Sequence, residues 1–238
     1  MSFDLVITNG VASLTLRRPP VNALDVETVE CLRDAFTDLA AEPPGVGLIL
    51  SGNGPCFSAG VDTKAFASYD RDARARMILA ITAMVTELYA MPCPVVSTVA
   101  GHALGGGFVL MLCADVRLAV DDGDIKLGLT EAQAGVPFPA GPLEVIAAEL
   151  SPELLRRLTL TSQRVAPTEM YRLGVIDELG SAANIGARAE ARVRELAGQP
   201  AYGLVKAQVR RATLSKLRAI VASSSDPLIE VLERPRMD

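Results

Sequence analysis

The residues in this sequence that could do chemistry lie mainly in two glycine-rich segments. One runs Gly54-Pro55-Cys56-Phe57-Ser58-Ala59-Gly60-Val61-Asp62-Thr63-Lys64, the other Gly101-His102-Ala103-Leu104-Gly105-Gly106-Gly107. Each follows a short apolar run, Val46–Leu50 and Val95–Ala100, that reads as a buried strand. The ends of such strands are where α/β sheets build ligand sites, and glycine lets main-chain N–H groups approach a bound group closely. The second segment leads into an apolar helix, whose first N–H groups are unpaired and carry partial positive charge. Two turns of this kind could bind a developing oxyanion. By spacing alone, a pair of tight turns with no chemistry fits as well. Neither segment is a phosphate loop, because Lys64 is not preceded by glycine, and neither frames G-x-G-x-x-G before a helix. Cys56 stands where a G-x-S-x-G nucleophile elbow needs its first glycine.

The elements that must position these turns are legible from periodicity. Two β-rich runs in residues 3–16 flank Asn9-Gly10, a pair suited to the positive φ angles of a type I′ hairpin. Asp25 is placed to cap a helix carrying Val26, Val29, Leu32, Phe36 and Leu39 on one face, ended by Pro43-Pro44. Further strands are expected at Val116–Val120 and Ile125–Leu127, and helices at 71–90 and 106–113. The first of those helices carries Met77, Leu79, Ile81, Met84, Val85 and Leu88 as its buried face. Alternating strands and helices predict an α/β layer structure with right-handed crossovers. After Gly141 only helices are expected, among them one after Ser151-Pro152, one after Ala166-Pro167, and 185–197, 202–222 and 226–234. The helix 202–222 is read as amphipathic through Leu204, Val205, Val209, Leu214 and Leu217. Residues 1–182 are expected to form the α/β core and 183–238 a helical C-terminal region.

Bulk properties narrow the partners. A chain of 238 residues, half of them hydrophobic, can bury one sizeable core. Its net charge of −5 makes it a poor binder of nucleic acid or anionic membrane, and without Trp it lacks base-stacking platforms. The single histidine and the four separated cysteines, Cys31, Cys56, Cys93 and Cys113, offer no metal-ligand spacing. The most apolar stretch, Ala103–Ala114, is too short to span a bilayer of ~30 Å. MSFDLVITNG carries no secretory pattern, so a cytoplasmic protein with reduced thiols is expected.

Three segments taken together resemble a known family. Arg18-Pro19-Pro20-Val21-Asn22-Ala23-Leu24, Phe57-Ser58-Ala59-Gly60-Val61-Asp62 and Gly101–Gly107, followed by Gly174-Val175-Ile176-Asp177, resemble in order and separation the enoyl-CoA hydratase/isomerase (crotonase) superfamily. The resemblance implies a crotonase-like ββα superhelix core and an acyl-CoA thioester as substrate. It implies no metal or redox cofactor, coenzyme A being part of the substrate. The N–H groups of Val61 and Gly106 would form the oxyanion hole for the thioester carbonyl, and Ala59, Gly60, Val61, Asp62, Thr63 and Lys64 would line the coenzyme A path. Lys64, Arg17 and Arg18 are candidates for its phosphates. A homotrimer or a dimer of trimers, assembled through the C-terminal helices, is also implied.

Family hydratases hold a water between two glutamates. Val109 occupies the first of those positions and Glu131, in Gly128-Leu129-Thr130-Glu131-Ala132, the second. A hydratase must orient and deprotonate water, and valine makes that harder. A double-bond isomerase needs only one base to move a proton from C2 to C4, in a dry site. Desolvation beside Val109 should raise the pKa of Glu131. The pattern is similar to that of the mitochondrial-type Δ3,Δ2-enoyl-CoA isomerases; a dienoyl-CoA isomerase is disfavoured, since Pro139 stands where its further aspartate is expected. Enoyl-CoA hydratase and a catalytically silent acyl-CoA-binding homologue are the alternatives. Structural roles are expected for His102, for Asp115 through backbone or Arg117, for Asp62 within its own loop, and for Cys113 in the core.

Overall fold

The computed structural model describes residues 2–233. The chain opens with an antiparallel hairpin, β1 (Phe3–Thr8) and β2 (Val11–Leu16). Asn9 and Gly10 both take positive φ, 50° and 76°, as a type I′ turn requires. Helix α1 (Val26–Ala41) is capped by the Asp25 carboxylate, which accepts from Thr28 N–H, and it buries Val29, Leu32, Phe36 and Leu39. Then follow β3 (Gly47–Gly52), β4 (Cys56–Ser58), α2 (Thr63–Ser68), α3 (Arg71–Tyr89), β5 (Val95–Val99), β6 (His102–Leu104), α4 (Gly106–Leu112), β7 (Val116–Val120) and β8 (Leu127–Gly128). The remainder comprises α5 (Glu131–Ala134), α6 (Ala140–Glu149), α7 (Pro152–Thr161), α8 (Pro167–Arg172), β9 (Glu178–Gly180), α9 (Ile185–Ala197), α10 (Tyr202–Ser223) and α11 (Pro227–Glu233). Residue 234 of the helix expected over 226–234 lies outside the described residues. Among those described, no helix is long and apolar enough to cross a membrane.

The strands form two sheets. The larger runs β1-β2-β3-β5-β7-β9 and is parallel throughout except for the first hairpin. Its central strand β5, Val-Val-Ser-Thr-Val, is buried along its whole length, as parallel strands covered on both faces are. The smaller sheet, β4-β6-β8, is also parallel. It is this sheet that holds the two glycine-rich segments side by side.

Five expectations are corrected. The region after Gly141 is not helical throughout, because β9 adds to the sheet beside β7; three residues with little apolar periodicity are chosen by a neighbouring strand edge, not by propensity. The glycine segments are partly strands, β4 and β6, and the strand expected at Ile125–Leu127 is β8, starting two residues later and lying in the smaller sheet. On α3, Ile78 is buried instead of Leu79. On α10, Leu214 and Leu217 are buried, but Leu204 and Val209 are 74% and 77% exposed. That turn of α10 faces inward through Lys206 and Arg210, whose long stems are buried while their heads reach the Asp115 carboxylate, at 2.7 and 3.0 Å.

Asp115 is structural and pairs with the backbone, the first of its two expected partners, and not with Arg117. It accepts from Val95 N–H, as a backbone partner, but its cations are Lys206 and Arg210. Arg117 turns to Glu149 and the Leu112 carbonyl instead. Arg210 also stacks 4.0 Å above the Tyr89 ring, whose hydroxyl donates to Glu149. Asp115, Glu149, Lys206 and Arg210 border a cavity of about 760 Å³ beside α10, which shares no residue with the glycine turns. Its charges are satisfied by one another.

Candidate active site

The loop from Asn53 to Asp62 is held by the side chains of Asn22 and Ser58, neither of which was an expected site residue. Asn22, at positive φ of 51°, donates its amide to the carbonyls of Asn53, Cys56 and Phe57 and accepts from Arg18 N–H. Ser58, fully buried, donates to the Asn22 carbonyl at 2.7 Å and accepts from Gly60 N–H. Asn22 lies within the Arg18–Leu24 segment; a buried asparagine with this much hydrogen-bonding capacity was the available signal.

Leu24 then pairs with the same loop: its N–H donates to the Gly60 carbonyl, and its carbonyl accepts from Asp62 N–H, both at 2.8 Å. The N–H of Val61, between those two, points away from that bridge and has no acceptor among the described residues. Asp62 caps α2 by accepting from Ala65 N–H at 3.0 Å, and Arg18 lies 3.0 Å from its other oxygen. These hydrogen bonds and the Arg18 charge hold the Asp62 carboxyl below the usual carboxylate range, against the cost of burial.

The second turn meets the first backbone to backbone. Gly60 has φ of +80°, and a Cβ there would lie 2.7 Å from Gly106 N and 2.8 Å from the Leu104 carbonyl oxygen. Only glycine fits both the angle and the contact. A Cβ on Gly106 would stand in ordinary contact with Gly60 Cα and Leu24 Cδ1, both at 3.5 Å, and with Val61 N at 3.8 Å, so Gly106 and Val61 are close neighbours. Gly106 is the first residue of α4, and its N–H likewise has no acceptor among the described residues. Gly107 packs against the Ser58 carbonyl, where a Cβ would come within 2.2 Å, and this contact seats α4 on β4.

Glu131 begins α5, directly after β8 and Thr130. Its Oε1 reaches the wall of the second turn: a Cβ on Gly105 would meet it at 3.2 Å. Its Oε2 is buried with no hydrogen-bond partner among the described residues. Desolvation pushes its pKa up to about 7, partly opposed by backbone hydrogen bonds, in the direction the sequence anticipated. Val109, 1% exposed, lines the same cavity together with Ala59, Val61, Thr63, Gly105 and Gly106. The structure thus brings Glu131, Val109, Val61 and Gly106 to one cavity. Two unengaged N–H donors beside a carboxyl that titrates near neutrality are a set able to hold an oxyanion and move a proton.

Of the remaining candidates, Lys64 is exposed on α2. Arg17 is exposed and pairs with Asp4, and Arg18 is held between Asp25 and Asp62 and the Ala23 carbonyl, so it is not free for a phosphate. His102 is structural, its Nδ1 accepting from Lys126 N–H. Cys113 is wholly buried, which pushes its thiol up to about 12.

Comparison with known proteins gives the family and the fold. The family model for enoyl-CoA hydratase/isomerase matches residues 6–232. A carnitinyl-CoA dehydratase from Salmonella typhimurium is 32% identical over 202 residues, 84% of this chain and 75% of that protein. Human mitochondrial delta3-delta2-enoyl-CoA isomerase superposes with a TM-score of 0.89 at 23% identity, over 98% of this chain and 93% of that one, a likeness of fold. An enoyl-CoA isomerase from Mycobacterium tuberculosis superposes at 0.83, with 25% identity over 94% of this chain and 97% of that one. The chain has the crotonase fold and belongs to the enoyl-CoA hydratase/isomerase family.

Proposed function

We propose that the protein moves a carbon–carbon double bond in an acyl-CoA thioester, converting 3-enoyl-CoA to 2-enoyl-CoA. The thioester carbonyl sits between the N–H groups of Val61 and Gly106. The Glu131 carboxylate removes a C2 proton, and the electron pair delocalises through C1 onto the carbonyl oxygen, giving a dienolate that the two N–H groups stabilise. The same carboxyl returns the proton at C4, and the double bond forms between C2 and C3. Atoms and charge balance without any added cofactor, and coenzyme A leaves as it arrived. In this reading Ala59, Gly60, Val61, Asp62, Thr63 and Lys64 border the path of the coenzyme.

One observation carries the choice of reaction. Glu131 presents a buried, unpartnered oxygen to a cavity in which the nearby position 109 is a buried valine. A single base in an apolar cavity suits proton transfer within the substrate and offers water no second carboxylate. The likeness to a dehydratase favours hydration as the second reading. A silent binder would have no use for a carboxyl desolvated to a pKa of about 7. We also propose a homotrimer or dimer of trimers using the exposed Leu204, Val205 and Val209 of α10, in the cytoplasm.

The test is incubation with trans-3-hexenoyl-CoA and, separately, trans-2-hexenoyl-CoA, with products separated by chromatography. Conversion of the first to 2-enoyl-CoA with little 3-hydroxyacyl-CoA from either supports the isomerase. Rapid hydration of the second overturns it in favour of the hydratase. Binding without turnover of either would leave the silent homologue.

A further inference from the structure

We propose that the Ser162 hydroxyl is a positioning group for Glu131, capping α5 from a distant element and so holding the base against the second glycine turn; this rests on the reading of Glu131 as the base. Glu131 sits on a helix that cannot hold itself. α5 is a single turn of four residues, its N-cap Thr130 makes no side-chain cap hydrogen bond, and Gly135 ends it at φ of 70°. The first N–H groups of any helix have no partner within it, and one turn is too short to be stable alone. The Glu131 carbonyl is held from the C-terminal side, accepting from Gly135 and Val136 N–H. On the N-terminal side the acceptor comes from 29 residues further along the chain, where Ser162 Oγ takes the Gln133 N–H at 3.1 Å.

Ser162 reaches that place because the segment it opens is strapped along β8. Leu127 exchanges both backbone hydrogen bonds with Val165, each at 2.9 Å. Gly128 lies so close to Gln163 that a Cβ would meet its carbonyl oxygen at 2.3 Å. The Gly128 carbonyl in turn accepts from Gly105 N–H at 2.9 Å, which ties β8 to the second turn. Residues 127, 128 and 133 are therefore all pinned to the segment 162–165, and Glu131 lies between the pins. Arg164 adds a hydrogen bond to the Gln133 side chain at 3.3 Å. Ser162 itself ends α7 with φ of 49°. A serine bears that left-handed angle at a cost that glycine would avoid. A hydroxyl thus stands where the backbone alone favours glycine.

Ser162→Gly removes the hydroxyl and relieves the positive φ, so the fold is not put at risk. With trans-3-hexenoyl-CoA, kcat should fall about ten- to a hundredfold as the base is displaced. KM should change by less than about threefold, because the two N–H groups stay in place. Glu131 owes its raised pKa of about 7 to burial, and among the described residues the cavity lining carries no other charged side chain. A loosened α5 lets water reach the carboxyl, so the acid limb of the rate should move down by about one pH unit. Ser162→Asn offers an acceptor and tolerates the left-handed angle, and it should restore both kcat and the limb. Wild-type kcat and limb in Ser162→Gly overturn the proposal, and so does an equal loss in both variants. If the wild-type protein does not convert the substrate, infrared titration still reads the Glu131 carboxyl, as the band missing from Glu131→Gln. A lower pKa in Ser162→Gly then upholds the positioning role and removes only the isomerase reading. An unchanged pKa overturns both.

Discussion

Gly60 and Gly106 touch through their backbones, with the Gly60 hydrogen pointing at a nitrogen only 2.7 Å from where a methyl carbon would stand. That contact brings the Val61 and Gly106 N–H groups to one place, and it depends on the absence of a side chain. Gly60→Ala has to relieve both the clash and a φ of +80°. We expect about 1–3 kcal/mol of lost stability and a fall of roughly 10²–10³ in kcat. Urea unfolding and steady-state kinetics on 3-hexenoyl-CoA would measure them; unchanged kcat would mean that the two N–H groups do not share the oxyanion.

Glu131→Gln removes the proton carrier and little volume. The rate should drop by about 10²–10⁴ while acyl-CoA still binds. In the unmodified enzyme the carboxylate is the active form, and its pKa is raised to about 7. The rate should therefore fall as pH is lowered through about 7. A profile flat from pH 6 to 8 would contradict Glu131 as the base.

The same shift predicts a stability effect of opposite sense. Between the ordinary value of 4.5 and about 7, the folded state holds a proton that the unfolded chain has released. Stability from this group is complete below 4.5 and is lost as pH rises to about 7. Glu131→Gln does not ionise, so at pH 8 it should be more stable than wild type by on the order of 2–3 kcal/mol. Denaturant midpoints at pH 5 and pH 8 would reveal it as a gap that widens with pH.

Val109→Glu restores a second carboxylate in the cavity. Two acids near each other raise one pKa further and draw in water. Isomerisation should weaken, and 3-hydroxyacyl-CoA should become detectable from 2-hexenoyl-CoA. The buried site makes the variant less stable, so its fold should be checked by circular dichroism first. A folded variant that gains no hydration would mean that Val109 does not decide the reaction.

Asp115→Ala strands two cations. Lys206 and Arg210 would keep their heads in a site where their side chains are 7% exposed. Burial already lowers the Lys206 pKa, against the pull of Asp115. Loss of that partner should cost about 3–5 kcal/mol in urea unfolding. A cost under 1 kcal/mol would show that water reaches the pair.

The hairpin at Asn9-Gly10, the Asp25 and Ser151 caps and most of the helices were legible in the residues alone. Each is a local matter of φ preference, capping or apolar period, and all the information sits within a few residues. That Glu131 has no acidic partner at position 109 was equally legible, as a fact of composition. Long-range packing alone makes β4, β6 and β8 a second sheet, brings Asn22 and Ser58 to brace the first turn, and ties Asp226 to the α6 end of the cavity. It also decided that Lys206 and Arg210, not Leu204 and Val209, face inward on α10. These depend on partners 30 to more than 90 residues away in the chain, such as Asp115 for Lys206 or Ala140 for Asp226. A buried charge is tolerable only where its counter-charge arrives, and periodicity along a helix carries no record of which distant residue will be waiting there.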